Sequence, residues 1–512
     1  MIQIRNLTIT HKKDLHVLVG GFDLVLNEGD RAVIVGEEGN GKSTLLKWIY
    51  DPRLIEDYAE AEGKRVTQGE KLAYLPQELP EADRGLSAFE FVSAAAGGGF
   101  SPRDAARLAS QLGIDEELFY SERPMRSFSG GEKVKLRTAA LLLGDPDVLL
   151  LDEPSNDIDV ETLEWMEGVI LGAGRSVLFI SHDETLIERT ANRVILLEQL
   201  RRKTLPRQTV ANVPFRQFTD EREAAFLKQA REAGSERREE KKAMERFRRI
   251  QQQVERAQEN VSRSDPSAGR LLKKKMASVK ALEKRYSREH EDLTEFPERE
   301  DPILLRLDNQ LALPAGKTVL ELSLPELRRG GTVLARDIEL FVRGPEKVCI
   351  TGRNGVGKTT LLGVIRGALA GRDDLRVGLM PQDYDEALPP DETPLGFLAA
   401  SGSRDEATLI RTRLGSLRFT ASEMEHPIRE LSGGQRAKLL MLSLSLGEAN
   451  VLLLDEPTRN FSPLSGPQIR GILRDFPGAI ISVSHDRKYV AEVCDAVYEL
   501  TEAGLKRVYG GG

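Results

Sequence analysis

A chain of 512 residues has room for roughly two to four domains, and 40% hydrophobic residues are enough for sizeable cores. Two cysteines, Cys349 and Cys494, exclude a disulfide framework. There is no Cys/His metal cluster, and no uncharged apolar run reaches the roughly 18 residues needed to cross a bilayer. The net charge of −8 conceals a segregation: between Arg246 and Arg288, thirteen basic and four acidic residues give +9, leaving −17 for the rest. Such a pattern predicts a basic element that meets a polyanion, carried by acidic domains that do not. The opening residues, Met1 to Asn6, lack the basic start and apolar stretch of a signal peptide, so the expected compartment is cytoplasmic.

The first domain is expected over residues 1–205. The apolar run Ala32–Val35 enters a glycine loop, Gly36–Thr44 (Gly-Glu-Glu-Gly-Asn-Gly-Lys-Ser-Thr), and a helix is expected from Ser43 onward. That strand–loop–helix order is what a phosphate loop requires. Gly36, Gly39 and Gly41 let backbone N–H groups turn towards β- and γ-phosphates at the positive end of the helix. Lys42 adds a point charge, Ser43 with Asp152 supplies oxygen ligands to Mg2+, and Thr44 completes the loop. Glu153, directly after Asp152, is placed to polarise an attacking water. Some 50 residues separate Gln77 from Ser129, room for a small helical subdomain. Val148–Leu151 and Ser176–Ile180 are continuous apolar runs, as expected of parallel strands covered on both faces.

Residues 206–301 are expected to form a linker of different character. Phe247, Ile250, Val254, Ala257 and Val261 step at helical spacing; Leu272, Met276, Val279, Leu282 and Tyr286 do so again after a turn at Ser262–Gly269. Two narrow seams around a short turn predict an antiparallel helical hairpin. Its basic residues gather near the turn, and Arg263, Arg270, Lys273, Lys274 and Lys275 are the candidate RNA contacts. The bland alternative is a solvated spacer.

The second domain, residues 302–512, repeats the first at a register shift of about 300 residues, a period too long for a solenoid of small repeats. Lys347–Ile350 enters Gly352–Thr360, with Gly352, Gly355, Gly357, Lys358, Thr359 and Thr360 in the phosphate-loop places. Gln382, Leu431–Gln435, Asp455, Glu456 and His485 follow, as Gln77, Phe128–Glu132, Asp152, Glu153 and His182 follow in the first. One phosphate loop alone is modest evidence. Two, each followed by Ser-Gly-Gly and an apolar run ending Asp-Glu-Pro, predict an α/β chain with two P-loop ATPase domains that binds two ATP molecules with Mg2+.

With these motifs the chain resembles the ATP-binding cassette (ABC) superfamily over about four fifths of its length. The resemblance implies that the signature of one cassette closes over nucleotide held by the other. Ser432, Gly433 and Gly434 would then complete the site of Lys42, and Ser129, Gly130 and Gly131 that of Lys358. Gln77 and Gln382 would sense Mg2+ and water, and His182 and His485 the γ-phosphate. The Ser-His-Asp words are not a hydrolase triad, because adjacent residues cannot form that relay. Fused cassettes around a charged hairpin look like the ABC-F family in particular. This resemblance implies a monomer whose cassettes pair intramolecularly and which binds ribosomes. The hairpin would reach towards large-subunit rRNA and P-site tRNA, in translation regulation or antibiotic protection. The alternatives are an ATPase subunit of a membrane transporter, which leaves the basic hairpin unexplained, and a DNA-maintenance ATPase, for which the hairpin is too short.

The chain departs from the family pattern in places. His11 stands where an aromatic residue usually stacks on adenine, and the second half shows no obvious aromatic there. Glu38 replaces the usual Asn of the phosphate loop, which the second loop keeps as Asn354, and weaker phosphate binding is expected at the first site. Asp159 keeps a loop aspartate whose counterpart is Ser462, so unequal hydrolysis at the two sites is expected. The loop Thr458–Pro463 resembles that of certain resistance members, whereas the short hairpin turn does not.

Overall fold

The structure, a computed structural model, describes residues 1–156, 158–259, 271, 273–279, 281, 284, 296–298, 305, 307, 311–399 and 402–510. Contacts divide it into two units, one of residues 1–215 with 300–512 and one of residues 216–299.

In the first half of the larger unit the strands are β1 (Ile2–His11), β2 (Val17–Leu26), β3 (Arg31–Val35), β4 (Ala59–Thr67), β5 (Leu72–Leu75), β6 (Val148–Asp152), β7 (Ser176–Ile180), β8 (Arg193–Gln199) and β9 (Leu205–Ala211). In its second half they are β10 (Thr318–Arg329), β11 (Thr332–Arg343), β12 (Lys347–Thr351), β13 (Val377–Met380), β14 (Val451–Asp455), β15 (Ala479–Val483), β16 (Ala496–Thr501) and β17 (Gly504–Gly510). Two six-stranded sheets repeat one order, β5-β6-β7-β3-β8-β9 and β13-β14-β15-β12-β16-β17, parallel except for the last strand of each. Every residue of β6, β7, β14 and β15 is buried, so the uninterrupted Val-Leu-Ile runs are those of a sheet covered on both faces.

The two α/β cassettes differ in their separate antiparallel sheet. The first has three antiparallel strands, β2-β1-β4, and the second the hairpin β10-β11 alone. Short helices between β5 and β6, and between β13 and β14, form the expected subdomain, packed in the first half around Phe119, Met125 and Phe128 and in the second around Ile410, Leu414 and Ile428.

In the smaller unit the helix Phe215–Glu259 runs for 45 residues, about 67 Å at the usual rise. Residues 273–279 are helical as well, and Phe247 of the first expected seam packs on Met276 and Val279 of the second. The expected turn at Ser262–Gly269, and Val261, Leu272, Leu282 and Tyr286 of the seams, lie outside the described residues, as do the side chains of Val254 and Ala257. Among the described residues no helix is long and apolar enough to cross a membrane.

Candidate functional site

Both parallel sheets deliver their loops in the same way. The chain leaves β3 through Gly36 (φ 152°) and β12 through Gly352 (φ 140°). A Cβ at these positions would stand 2.3 Å from the Leu197 carbonyl oxygen and 2.4 Å from that of Leu500, so only glycine lets the loop pass the neighbouring strand. The helices Lys42–Tyr50 and Lys358–Leu369 begin after left-handed Gly41 and Gly357 with no side-chain cap, which leaves their first N–H groups facing the loop. Lys42 Nζ donates to the carbonyls of Gly36 and Glu37 at 2.9 and 3.0 Å; Lys358 Nζ donates to those of Gly352 and Arg353 at 2.8 and 3.0 Å. Burial pushes the Lys358 ammonium below its usual range, opposed by Glu456, Asp159 and Asp455.

The expected oxygen ligands meet at the ends of β6 and β14. Ser43 Oγ donates to Asp152 at 2.8 Å, and Tyr74, which sequence reasoning missed, donates to the same carboxylate at 2.9 Å. Thr359 hydrogen-bonds Asp455, whose Oδ2 is buried with no hydrogen-bond partner. Burial raises both aspartates. Hydroxyl and carboxylate oxygens side by side, one of them orphaned in the interior, fit the hard-donor preference of Mg2+.

Glu153 and Glu456 both hold left-handed backbone, φ 49° and 52°, a rare state for a non-glycine residue that recurs here at matching positions. Their side chains differ. His182 Nε2 lies 2.9 Å from Glu153, while its Nδ1 lies 2.8 Å from the Phe461 carbonyl of the other cassette. Burial opposes both charges, yet their mutual attraction outweighs it: Glu153 is held below and His182 above its usual value. In the second half His485 Nε2 is 3.9 Å from Glu456, which instead accepts the backbone N–H of His485 at 3.3 Å. There burial raises Glu456 to about 7, and burial with the Lys358 charge lowers His485 to about 4.

The cassettes meet crosswise. One cavity of about 630 Å³ brings Ser129 and Gly130 together with Lys358, Thr359, Thr360, Gln382, Asp455, Glu456 and His485. On the other side the backbone N–H of Gly434 donates to Glu38. Gln77 lines a separate cleft with Glu153 and Arg137. Ser129 and Ser432 cap their helices, accepting the N–H of Glu132 and of Gln435 at 3.2 Å, and Gly131 lies so close to Thr162 that a Cβ would stand 2.5 Å from its hydroxyl oxygen.

Several functional positions carried no motif. Arg329 and Leu334, at the turn of the β10-β11 hairpin, line the large cavity where an aromatic was expected and not found. His11 lies on β1 with its ring 2.8 Å from Asp14. The helices Glu184–Thr190 and Arg487–Val493, equivalents in the repeat, meet with opposite charge: Lys488 reaches Glu184 and Glu188 at 3.1 and 2.6 Å, Arg487 reaches Asp183 at 3.1 Å, and buried Arg470 holds buried Glu184 at 2.6 Å. A comparison of the residues after the two Ser-His-Asp words, Glu184 and Arg487, was the available signal. In the smaller unit Lys273, Lys274 and Lys275 are helical and exposed, whereas Arg263 and Arg270 lie outside the described residues.

The model of the ABC transporter family matches residues 19–156 and 335–459, together just over half of the chain. The ribosome protection protein VmlR of Bacillus subtilis is 26% identical over 94% of this chain and 84% of its own length. The ATP-binding protein Uup of Escherichia coli is 27% identical over 97% and 80%, and human ATP-binding cassette sub-family F member 3 is 26% identical over 97% and 71%. Among solved structures, the archaeal ribosome recycling factor aABCE1, in complex with stalk protein aP1, shares the fold with a TM-score of 0.57 at 17% identity, over 98% of this chain and 89% of that one. With both cassettes, their phosphate loops and the interposed helical unit accounted for, the chain is an ATP hydrolase of the ATP-binding cassette family and belongs to its ABC-F branch.

Proposed function

We propose that the chain binds two ATP molecules between its cassettes, and that the ATP-bound form engages the ribosome and is released by hydrolysis. The observation that carries the paired-site reading is the crosswise placement of Ser129 and Gly130 in one cavity with Lys358, Asp455 and Glu456. In this reading Gly36, Gly39, Gly41, Lys42 and Thr44 hold phosphates at the first site, as Gly352, Gly355, Gly357, Lys358 and Thr360 do at the second. Ser43 with Asp152, and Thr359 with Asp455, hold Mg2+, with Gln77 and Gln382 beside them. Held there, Mg2+ would supply positive charge that neutralises the charge developing on the transferred phosphoryl group. Glu153 and Glu456 orient water for in-line attack, His182 and His485 contact the γ-phosphate, and the opposing signature helices present N–H groups to it.

The ribosome enters through the relatives, one of which is named for ribosome protection. The exposed Lys273–Lys275 row adds the physical support, since contact with RNA phosphates depends on lysine and arginine. The linker hairpin would act on P-site tRNA and large-subunit rRNA, which places the protein in the cytoplasm. A Glu153→Gln/Glu456→Gln chain with ATP, sedimented with purified ribosomes over a salt series, tests this. ATP-dependent co-sedimentation that weakens with salt, and is lost when Arg263, Arg270 and Lys273–Lys275 are neutralised, is the expected result. No binding by a chain shown to retain ATP refutes the ribosome reading and turns the search to a membrane partner.

A further inference from the structure

The two phosphate loops differ where they face the opposite cassette. Gly36 is followed by Glu37 and Glu38, Gly352 by Arg353 and Asn354. Glu37 is buried, and its carboxylate takes both Lys438 Nζ and, at 3.1 Å, the hydroxyl of Ser465. Glu38 accepts the N–H of Gly434, in the first turn of the helix Gly433–Leu446, and its oxygens lie so near Gly433 and Gly434 that a Cβ on either would meet them at 3.1 to 3.2 Å. Three groups of the second cassette are thus committed to two carboxylates of the first.

The other side lacks this arrangement. Lys135, the repeat partner of Lys438, turns instead over the Trp165 ring of its own cassette, 5.8 Å from its centre. Arg353 is exposed, with Glu161 3.9 Å away, and Asn354 Oδ1 faces its own Lys358 at 3.4 Å. The signature on that side is left open to the large cavity.

An N–H at a helix start that faces a phosphate loop is the group an outermost phosphate takes. At the first site a carboxylate already holds it, beside a second carboxylate neutralised by a buried lysine. We infer that Glu37 and Glu38 are selectivity residues of the first site. They clasp its loop to the second signature helix and make a γ-phosphate compete with Glu38 for the Gly434 N–H, so this site takes nucleoside triphosphate more weakly than the Lys358 site. A nucleoside diphosphate, one phosphate shorter, does not meet that competition. Glu38 therefore weakens triphosphate specifically, through like-charge repulsion and loss of a donor, while Glu37 positions the loop through Lys438 and Ser465. The inference rests on both loops being ATP sites and is independent of the ribosome reading.

The test is calorimetric titration of the full chain with Mg2+ and either adenylyl imidodiphosphate or ADP. Lys358→Ala isolates the first site and Lys42→Ala the second, and the unaltered chain serves as a check that does not depend on either variant folding. The unaltered chain is expected to show one tight and one weak triphosphate site. In the Lys358→Ala chain, adding Glu38→Asn tightens the triphosphate analogue by about tenfold or more while leaving ADP nearly unchanged. A merely structural role would move both ligands together. Two equal tight sites in the unaltered chain, or an unchanged analogue-to-ADP ratio on Glu38→Asn, overturns the inference. No nucleotide at either isolated site, in folded chains, overturns the two-site reading beneath it.

Discussion

The two halves share a sheet order, a loop geometry and even the strained backbone of Glu153 and Glu456, yet their sites differ in charge. At the first, His182 and Glu153 neutralise each other at 2.9 Å and Glu37 and Glu38 are tied to the other cassette. At the second, the His485 ring stands 3.9 Å from Glu456, which takes only the His485 backbone N–H from that residue, is raised to about 7 and borders a wide cavity. Duplication thus preserved what the backbone must do, whereas side chains that only touch the facing cassette were free to diverge. A base whose pKa lies near the working pH transfers protons better than one locked in an ion pair, so the second site should be the faster hydrolyser.

Single-site substitution is the sharpest way to break this comparison. Glu456→Gln should lower steady-state ATP turnover by roughly 10³-fold, as loss of a general base does, and Glu153→Gln by much less. Equal losses in phosphate-release assays would mean that the different histidine contacts have no kinetic consequence.

The next effect concerns how the unlike halves recognise each other. Arg470→Ala leaves Glu184 buried with only Lys488 beside it and should destabilise the paired cassettes by about 3 kcal/mol. Arg470→Met combined with Glu184→Leu should recover most of that loss, since a buried pair replaced by apolar groups is often neutral. Urea unfolding followed by tryptophan fluorescence reads both; a silent Arg470→Ala would show that this pair does not hold the cassettes together.

The pH profile separates the sites again. Glu456 serves as a base only when ionised, and its raised value means that the carboxylate is lost as pH falls through about 7. Turnover of the Glu153→Gln chain should therefore drop about tenfold per unit below that point and level off above it. The residual rate of Glu456→Gln should lack this step, because Glu153 is held below its usual range. A shared inflection in both variants would assign the titration elsewhere.

What was legible from residues alone follows the same division. Glycine loops, Asp-Glu pairs and buried strand runs are readable because each is enforced by local geometry: a Cβ at Gly36 or Gly352 collides with a neighbouring strand, and β6 and β14 are apolar and buried up to their closing aspartates. That Glu38 departs from its counterpart Asn354 was visible, but not what it touches, since Gly434 is 396 residues away. Arg470 with Glu184, and Lys438 with Glu37, were likewise unreadable. Nothing in spacing brings side chains of two cassettes together, and charged residues on helices ordinarily read as solvated faces.

The smallest effect sharpens the comparison at the adenine end. Among the described residues no Phe, Tyr or Trp lines this cavity; Arg329 and Leu334 line it instead, and Leu334 packs so close to Gly357 that a Cβ there would stand 2.9 Å from it. A planar guanidinium can lie over a base as a ring does, with the apolar side chain of Leu334 beside it. Arg329→Ala should therefore weaken ATP at the second site by about 1 kcal/mol, roughly fivefold in Kd, in the Lys42→Ala chain. Arg329→Lys, which keeps the charge but not the plane, should weaken it nearly as much, and Arg329→Tyr should restore it. If lysine restores binding and tyrosine does not, the residue acts on phosphate charge and not on the base, and the adenine of the second site is held by Leu334 and its neighbours alone.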